Sequence, residues 1–287
     1  MKAISLTDLT KNYGKNRGIE HVNLSIEEGE FFGFIGPNGA GKSTTIRVLL
    51  GLIKATSGHA EVFGQDVWSK HVSCLQSVGY LPSETHFYAS QTVQQVLRFA
   101  AHLHGADCEK QAAYLSEQLQ LDTTRSVSEL SFGNRKKVGI VAAMQHKPKL
   151  LILDEPTSGL DPLMQHTFFS LLKAYNESGT TIFMSSHILS EVQHNCNRAA
   201  IIREGKIVAC DSVEALMRTQ AKKVSVRGAI DCSKLDGVAQ LQQFEDTAHF
   251  LYQGDVKDLL QYLAKANVKD LTISEPNLED IFMHYYK

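Results

Sequence analysis

The hydrophobic pattern of the chain predicts two kinds of strand. Some stretches alternate apolar and polar residues, as half-buried strands do, namely residues 3–14 and 19–30. Others hold an apolar run that ends in polar residues, as buried parallel strands do, namely residues 31–35, 149–156 and 180–187. The pattern therefore favours an α/β fold, with a mixed or parallel sheet at its core beside an antiparallel β region.

Helical periodicity dominates from about residue 90 to residue 145. Thr92 and Gln95 have the spacing of a capping box at the start of this segment. One apolar helix face follows, formed by Val93, Val96, Leu97 and Ala100. Further helices are predicted over residues 109–119 and 132–145, so this segment is expected to form a helical subdomain.

The character of the chain changes near residue 218. Before it, shorter strands are predicted over residues 60–64 and 77–82, and residues 198–212 predict a hairpin with a Glu-Gly turn. After it, strand and helix patterns alternate on a smaller scale. We therefore expect a main domain over residues 1–218 and a small α+β accessory domain over residues 219–287.

The composition is that of an ordinary globular protein. Of 287 residues, 43% are hydrophobic and 21% are charged, and the net charge of −2 gives no reason to expect a nucleic-acid partner. The five cysteines are scattered without a C-x-x-C pair, which favours a reduced cytoplasmic setting. The first residues lack the apolar core of a signal peptide, and no apolar run approaches the ~18 residues of a membrane span. If the protein serves a membrane, we expect another chain to cross it.

The stretch GPNGAGKSTT follows a predicted buried strand and precedes an apolar helical stripe that contains Ile46 and Leu49. It matches G-x-x-x-x-G-K-[ST], whose bare backbone N–H groups and helix N-terminus bind a polyphosphate. The candidate nucleotide-binding residues are Gly36, Pro37, Asn38, Gly39, Ala40, Gly41, Lys42, Ser43 and Thr44. Lys42 can reach the β- and γ-phosphates of a nucleoside triphosphate, and the Ser43 hydroxyl can ligate Mg²⁺.

Acidic and imidazole side chains follow two of the buried strands. Asp154 ends one strand and suits the Mg²⁺ shell, whereas Glu155 can orient or deprotonate an attacking water. His187 follows the strand over residues 180–184 and is expected at the same edge of the sheet, where it can contact the γ-phosphate. Asp161, before Pro162, fits both a helix N-cap and a functional loop residue.

In order and spacing, these motifs resemble the ATP-binding-cassette (ABC) ATPases, the motor subunits of membrane transporters. The resemblance covers residues 1 to about 217. It implies that Tyr13 stacks on adenine, that SGLD (158–161) is the loop after the second nucleotide motif, and that His187 is the switch histidine. The segment LSFGNRKK (130–137) corresponds to the family signature, usually LSGGQ.

The signature implies a head-to-tail pair of cassettes in which Ser131, Phe132, Gly133 and Asn134 close the partner's ATP site. Ser131 can act as an N-cap, and Gly133 at the second helical position permits close approach of a phosphate. Phe132 stands where the family usually has glycine, and Asn134 where it usually has glutamine. We expect function to survive these departures, with weaker closure of the pair.

A third departure follows GYLP, where the family usually offers a glutamine to Mg²⁺ and water and senses the membrane partner. Here the residues are Ser83 and Glu84. Glu84 is interpreted either as a substitute for the glutamine or as a solvated loop acid.

The resemblance implies an enzyme that hydrolyses Mg-ATP and drives transport by a separately encoded transmembrane permease. The end of the chain, SEPNLEDIFMHYY, resembles cassettes that serve six-helix subunits of bacterial exporters, which implies a position on the cytoplasmic face of the bacterial membrane. A homodimer is favoured, and a heterodimer with a different cassette is left open. Two rival hypotheses are a non-hydrolysing regulatory cassette and a soluble ABC ATPase acting on ribosomes or DNA.

Overall fold

The computed structural model describes residues 1–14, 16–217, 221–232 and 235–274. The chain separates into two compact units, Met1–Val213 and Glu214–Lys287. This division falls a few residues before the boundary predicted at residue 218, which itself lies outside the described residues.

The centre of the first unit is a six-stranded, largely parallel sheet. Its strands are β3 (Phe31–Ile35), β6 (Val78–Leu81), β7 (Leu150–Asp154), β8 (Thr181–Ser186), β9 (Arg198–Arg203) and β10 (Lys206–Ser212). Their order across the sheet is β10-β9-β3-β8-β7-β6. Every residue of β3, β7 and β8 is buried, as expected for parallel strands covered on both faces. β9 and β10 form the predicted hairpin, with Glu204 and Gly205 both at positive φ, as a type I′ turn requires.

A second, antiparallel sheet also belongs to this unit. Its strands are β1 (Lys2–Tyr13), β2 (Asn16–Glu27), β4 (Ser57–Val62) and β5 (Gln65–Asp66), in the order β2-β1-β4-β5. Helix α1 (Lys42–Leu49) follows β3. One hydrophobic core joins the two sheets through this helix and includes Ile4, Phe32 and Ile46. The mixed sheet architecture and the antiparallel β region predicted from the sequence are therefore confirmed.

The remaining helices of this unit lie between the later strands. They are α2 (His71–Gln76), α3 (Val93–Leu103), α4 (Glu109–Gln118), α5 (Phe132–Met144), α6 (Pro162–Glu177) and α7 (Leu189–Asn195). Thr92 and Gln95 form the predicted capping box, and Val93, Val96 and Leu97 are buried on α3. Within the described ranges, no helix is long and apolar enough to cross a membrane.

The second unit begins with α8, which starts at the unit boundary (Val213–Met217), and contains a four-stranded antiparallel sheet. The strands are β11 (Ala221–Ala229), β12 (Val238–Phe244), β13 (Thr247–Gln253) and β14 (Asn267–Ser274), in the order β12-β13-β11-β14. Helix α9 (Val256–Leu263) starts at its N-cap Asp255 and buries Leu259 against this sheet. This is the predicted α+β composition, with β12 as an additional strand. Residues 275–287, which carry the exporter resemblance, lie outside the described residues.

Candidate functional site

The loop between β3 and α1 presents unpaired backbone N–H groups at the start of a helix. The N-cap of α1 is Gly41, at φ 112°, and no described side chain caps the helix. A Cβ at Gly41 would lie 2.7 Å from Cγ2 of Ile19, so both the backbone angle and the space require glycine. The first N–H groups of α1 are therefore available to an anion, which the helix dipole also favours.

This loop forms one wall of a polar cavity of about 540 Å³. The other walls come from the β1–β2 hairpin, the loop after β6, the start of α5, and the ends of β7 and β8. The lining residues are Gly18, Pro37, Asn38, Gly39, Gly41, Lys42, Ser43, Thr44, Ser83, Glu84, Phe132, Glu155, Ser158 and His187. The structure thus brings most of the predicted site residues to one place.

Lys42 is one of the residues that line the cavity. Its Nζ donates to the backbone oxygens of Gly36 and Pro37, at 2.5 and 3.3 Å, and lies 3.2 Å from Oε1 of Glu155. The Lys42 side chain is only 6% exposed. A buried ammonium needs partners of opposite charge, and here the loop carbonyls and one carboxylate supply them.

Ser43 and Asp154 provide a pair of oxygen ligands beside Lys42. The Ser43 hydroxyl donates to Oδ2 of Asp154 at 3.0 Å, and the Ser185 hydroxyl donates to Oδ1 at 2.5 Å. β7 and β8 are parallel neighbours whose register pairs Asp154 with Ser185, which explains the second contact. A carboxylate oxygen beside a hydroxyl is the donor set that a hard divalent cation prefers. In the described part of the chain, no group of three or more His, Cys, Asp or Glu side chains could hold a metal ion alone. Such a cation therefore also needs oxygens from a bound molecule.

Glu155 and His187 form a second pair. Nδ1 of His187 lies 2.6 Å from Oε2 of Glu155, whose other oxygen faces Lys42. Among the described residues Oε1 accepts no hydrogen bond although it is buried, so it retains acceptor capacity for a bound water. Glu155 has φ 48°, which is uncommon for a residue with a side chain. Its N–H donates to the backbone oxygen and the hydroxyl of Ser185, which hold this conformation.

Lys136 contacts the backbone of the site; it belongs to the segment LSFGNRKK, but the motif gave it no role. It lies on α5, is 1% exposed, and donates to three backbone oxygens at 2.9–3.0 Å, those of Pro82, Ser83 and Glu155. Burial lowers the pKa of the Lys136 ammonium to about 8, against the opposing attraction of Asp154 and Glu155.

Glu191 is a second group that sequence reasoning missed. This buried carboxylate on α7 accepts hydrogen bonds from Thr157 at 2.6 Å and from Ser186 at 2.8 Å. It therefore ties the turn after Glu155 to the residue before His187. Burial raises the pKa of the Glu191 carboxyl, and the two hydroxyl donors oppose that rise.

The signature segment has the predicted local structure. The Ser131 hydroxyl caps α5 by accepting from the N–H of Asn134 at 3.3 Å, and Gly133 is the second helical residue. Phe132 is 46% exposed, and its ring packs against Gly159, which has φ 81°. A Cβ at Gly159 would approach the Phe132 ring to 2.3 Å, so this glycine makes room for the side chain at position 132.

Other predicted residues lie outside the cavity lining. Tyr13 is exposed at the end of β1, and Lys11 lies over its ring. Asp161 is the N-cap of α6 and accepts from the N–H of Met164 at 3.0 Å. The Gly36 carbonyl accepts from Lys42, and Ala40 is buried. Asp154 accepts from Ser43, which lines the cavity.

Ser83 and Glu84 both line the cavity. The Glu84 carboxylate lies in an exposed pair with His86 at 3.6 Å. This geometry is compatible with both interpretations of the loop acid.

Known proteins resemble this chain in sequence. The ABC transporter family model matches residues 19–158. The chain is 35% identical to the bacitracin transport ATP-binding protein BcrA of Bacillus licheniformis, over 98% of this chain and 96% of that protein. It is 33% identical to the linearmycin resistance ATP-binding protein LnrL of Bacillus subtilis, over 96% of both chains.

Solved structures resemble about three quarters of the chain. The structure of an ATP-binding subunit of an ABC transporter superposes with a TM-score of 0.72 at 29% identity, covering 75% of this chain and 92% of that one. A dimeric ATP-binding cassette bound to ADP and phosphate shows the same fold, with a TM-score of 0.65 at 23% identity, over 73% of this chain and 98% of that one.

Proposed function

Because the chain belongs to the ABC transporter family of ATP-binding proteins, whose members are ATPases coupled to transport, we propose that it is the motor subunit of an exporter. In this role it binds Mg-ATP, pairs head to tail with a second cassette, and drives a separate membrane subunit. The observation that carries the proposal is the contact of Lys42, Glu155 and His187 in one polar cavity.

The residues of the cavity are suited to bind the triphosphate. Gly39 and residues 41–44 line the space at the N-terminus of α1, where their N–H groups and the Lys42 ammonium can bind phosphate oxygens. Mg²⁺ would be held by Ser43 and Asp154 together with phosphate oxygens, and when bound it neutralises phosphate charge. Tyr13 is the proposed stacking partner of the adenine.

Glu155 and His187 are the proposed catalytic residues. Oε1 of Glu155 is free to accept a hydrogen bond from the attacking water once a phosphate draws Lys42 away. The His187 imidazole holds Oε2 at 2.6 Å and so fixes the plane of the carboxylate. A fixed carboxylate can hold the attacking water in one orientation, and such positioning acts together with electrostatic stabilisation in phosphoryl transfer.

The test is the Glu155→Gln variant. It keeps the shape of the side chain but removes its charge and basicity, so we expect ATP to bind while turnover falls about 10²- to 10⁴-fold. Steady-state phosphate release and calorimetric ATP binding measure the two effects. Turnover near the wild-type rate would remove Glu155 from this role. No measurable turnover in the wild type, with intact ATP binding, would favour the rival regulatory cassette.

The paired state is supported by the signature segment, in which Ser131 and Phe132 are exposed. Helix α5 begins with this segment: Ser131 is its cap, and Phe132, Gly133 and Asn134 are its first three residues. The N-terminus of this helix and its dipole suit the phosphates of a partner's ATP. The Glu155→Gln protein lets this be measured, because it is expected to bind ATP and to hydrolyse it only slowly. We expect light scattering after size exclusion to show a dimer with Mg-ATP and a monomer without it. A protein that binds ATP and never pairs would refute the homodimer and favour a different partner cassette.

The partner in the membrane is proposed to contact an apolar groove of the first unit. The groove has a volume of about 470 Å³ and is lined in part by Leu50, Leu52, Leu75 and Leu103. Leu52 and Leu103 are more than half exposed, so a helix of the permease can cover apolar surface there. The relatives named for bacitracin transport and linearmycin resistance favour export as the direction.

This proposal places the protein at the cytoplasmic face of the bacterial membrane. Cell fractionation with an antibody against the chain tests it, because recovery in the washed membrane fraction is expected. Replacement of Leu52 and Leu103 by Ser should shift the protein from that fraction while leaving ATP binding unchanged. Recovery with ribosomes or nucleoids instead would favour the soluble rival.

A further inference from the structure

Lys136 is a fully buried lysine that the proposed reaction does not use directly. Its ammonium has three N–H donors, and each of them points to a backbone oxygen at hydrogen-bond distance. No carboxylate lies within ion-pair distance among the described residues, so carbonyl groups alone satisfy its hydrogen bonds. An ammonium is costly to bury, whereas an apolar residue would fill this space without that cost.

The three oxygens belong to parts of the chain that are far apart in sequence. Those of Pro82 and Ser83 lie in the loop after β6, which carries Glu84 to the cavity. The third is the carbonyl of Glu155 itself, in the turn after β7. Lys136 lies on α5, little more than one turn after the cap at Ser131. One side chain therefore joins the signature helix to two walls of the nucleotide site.

The contact with Glu155 bears on the reacting geometry. Glu155 has the uncommon positive φ, and its N–H is fixed by Ser185 from one side. Lys136 fixes its carbonyl from the other side. With both ends of the residue held, the carboxylate is directed to Lys42 and His187.

We propose that Lys136 is a positioning residue for ATP hydrolysis, which holds the loop after β6 and the Glu155 turn in a fixed relation to the helix that begins at Ser131. This inference rests on the proposed role of Glu155. Closure on a partner cassette would move α5. Lys136 would transmit this movement to both walls of the site. Lys136 is not among the residues that line the described cavity.

The test compares two variants of the full chain, Lys136→Met and Lys136→Gln, with Lys110→Met as the matched control. Lys110 is an exposed lysine on α4 that loses the same charge. For Lys136→Met we expect kcat to fall about 100-fold while the calorimetric Kd for Mg-ATP stays within about threefold, because the binding loop is untouched. Lys136→Gln retains two N–H donors and should lose only about tenfold in kcat. The control should match the wild type.

Several outcomes would overturn the inference. Normal kcat in Lys136→Met would do so, as would equal losses of kcat and ATP affinity in both variants, which indicate a role in stability alone. Should Lys136→Met fail to fold, Lys136→Gln decides: reduced kcat with unchanged affinity supports the inference, and normal kcat refutes it. The Glu155→Gln result separates the two proposals. If that variant loses turnover while Lys136→Met does not, only the role of Lys136 fails.

Discussion

The contacts of Lys42 allow the effect of its removal on ATP binding to be estimated. Its ammonium lies 3.2 Å from Glu155 and donates to two loop carbonyls, and it is almost fully buried. In Lys42→Ala this charge is lost from the space where the phosphates bind. Glu155 then also loses its compensating cation, and its negative charge faces the incoming triphosphate.

The size of the loss in ATP affinity depends on which contacts the Lys42 ammonium exchanges when ATP binds. At ~3 Å and an effective dielectric constant of ~20, two unit charges attract by about 5 kcal/mol. Lys42 already has a similar contact with Glu155, so the binding of ATP recovers only part of this energy. The net value of a hydrogen bond to a charged group is about 1.5–3 kcal/mol. We therefore expect Lys42→Ala to weaken ATP binding about 10- to 150-fold.

Isothermal titration calorimetry with Mg-ATP measures this loss directly. Lys110→Met serves as the control, because it removes an equal charge from the exposed surface of α4. The melting temperature of each protein without nucleotide should be measured on the same samples. A Kd for Lys42→Ala within about threefold of the wild type would refute the reasoning, since the smallest expected loss is about tenfold.

Three further results are expected. Asp161→Ala removes the N-cap of α6 and should cost about 1 kcal/mol, or about 2–4 °C in thermal unfolding of a unit of this size. Deletion of residues 219–287 should leave the calorimetric affinity for ATP unchanged, because the first unit carries the described cavity lining. The raised pKa of Glu191 means that the folded chain binds this proton more tightly than the unfolded chain. Glu191 therefore contributes its full stabilisation below its pKa in the unfolded chain, which is about 4.3. This contribution is lost as pH rises through the pKa of Glu191 in the folded chain. Urea unfolding of Glu191→Gln should lack this dependence of stability on pH.

Each of these has a clear contrary outcome. An unchanged melting temperature for Asp161→Ala would show that the cap does not stabilise α6. A truncated chain that fails to fold or to bind ATP would refute the predicted independence of residues 219–287. Identical slopes of stability against pH in the wild type and Glu191→Gln would contradict the burial argument.

The sequence predicted the strands and motif residues well because their information is local. Glycine spacing, a lysine and a hydroxyl define the phosphate loop, and acids directly after an apolar run define a strand end. Parallel strands end at one edge of the sheet, so Asp154 and the residues after β8 had to meet. The contact of Ser185 with Asp154 follows from the same register and was within reach of the sequence.

Lys136 and Glu191, which support the site, could not be predicted from local sequence patterns. Lys136 has backbone oxygens as partners, and nothing in the sequence marks a carbonyl as an acceptor of a distant lysine. Glu191 contacts Thr157 and Ser186, whose hydroxyls are ordinary residue types at ordinary spacings. Strand β12 was not predicted because its three glutamines interrupt the alternation of apolar and polar residues. Its last three residues are also exposed.

Phe132 shows a different limit of prediction from the sequence. Its departure from the usual glycine was visible in the sequence, and its tolerance was argued from the first helical position alone. The structure adds Gly159 as the residue that makes space for the ring. Since these two positions are far apart along the chain, only the folded contact connects them.

The sheet order also has a consequence for how the protein is made. β3 carries the phosphate loop, yet its two neighbours, β8 and β9, begin only at Thr181 and Arg198. At about 5–20 residues per second, a ribosome needs about 8–30 s to reach them after β3 has emerged. During that interval five consecutive residues that end up buried, FFGFI, have no partner strands. The nascent chain is therefore expected to depend on chaperones until late in synthesis, and it can bind ATP only when almost the whole first unit has been translated.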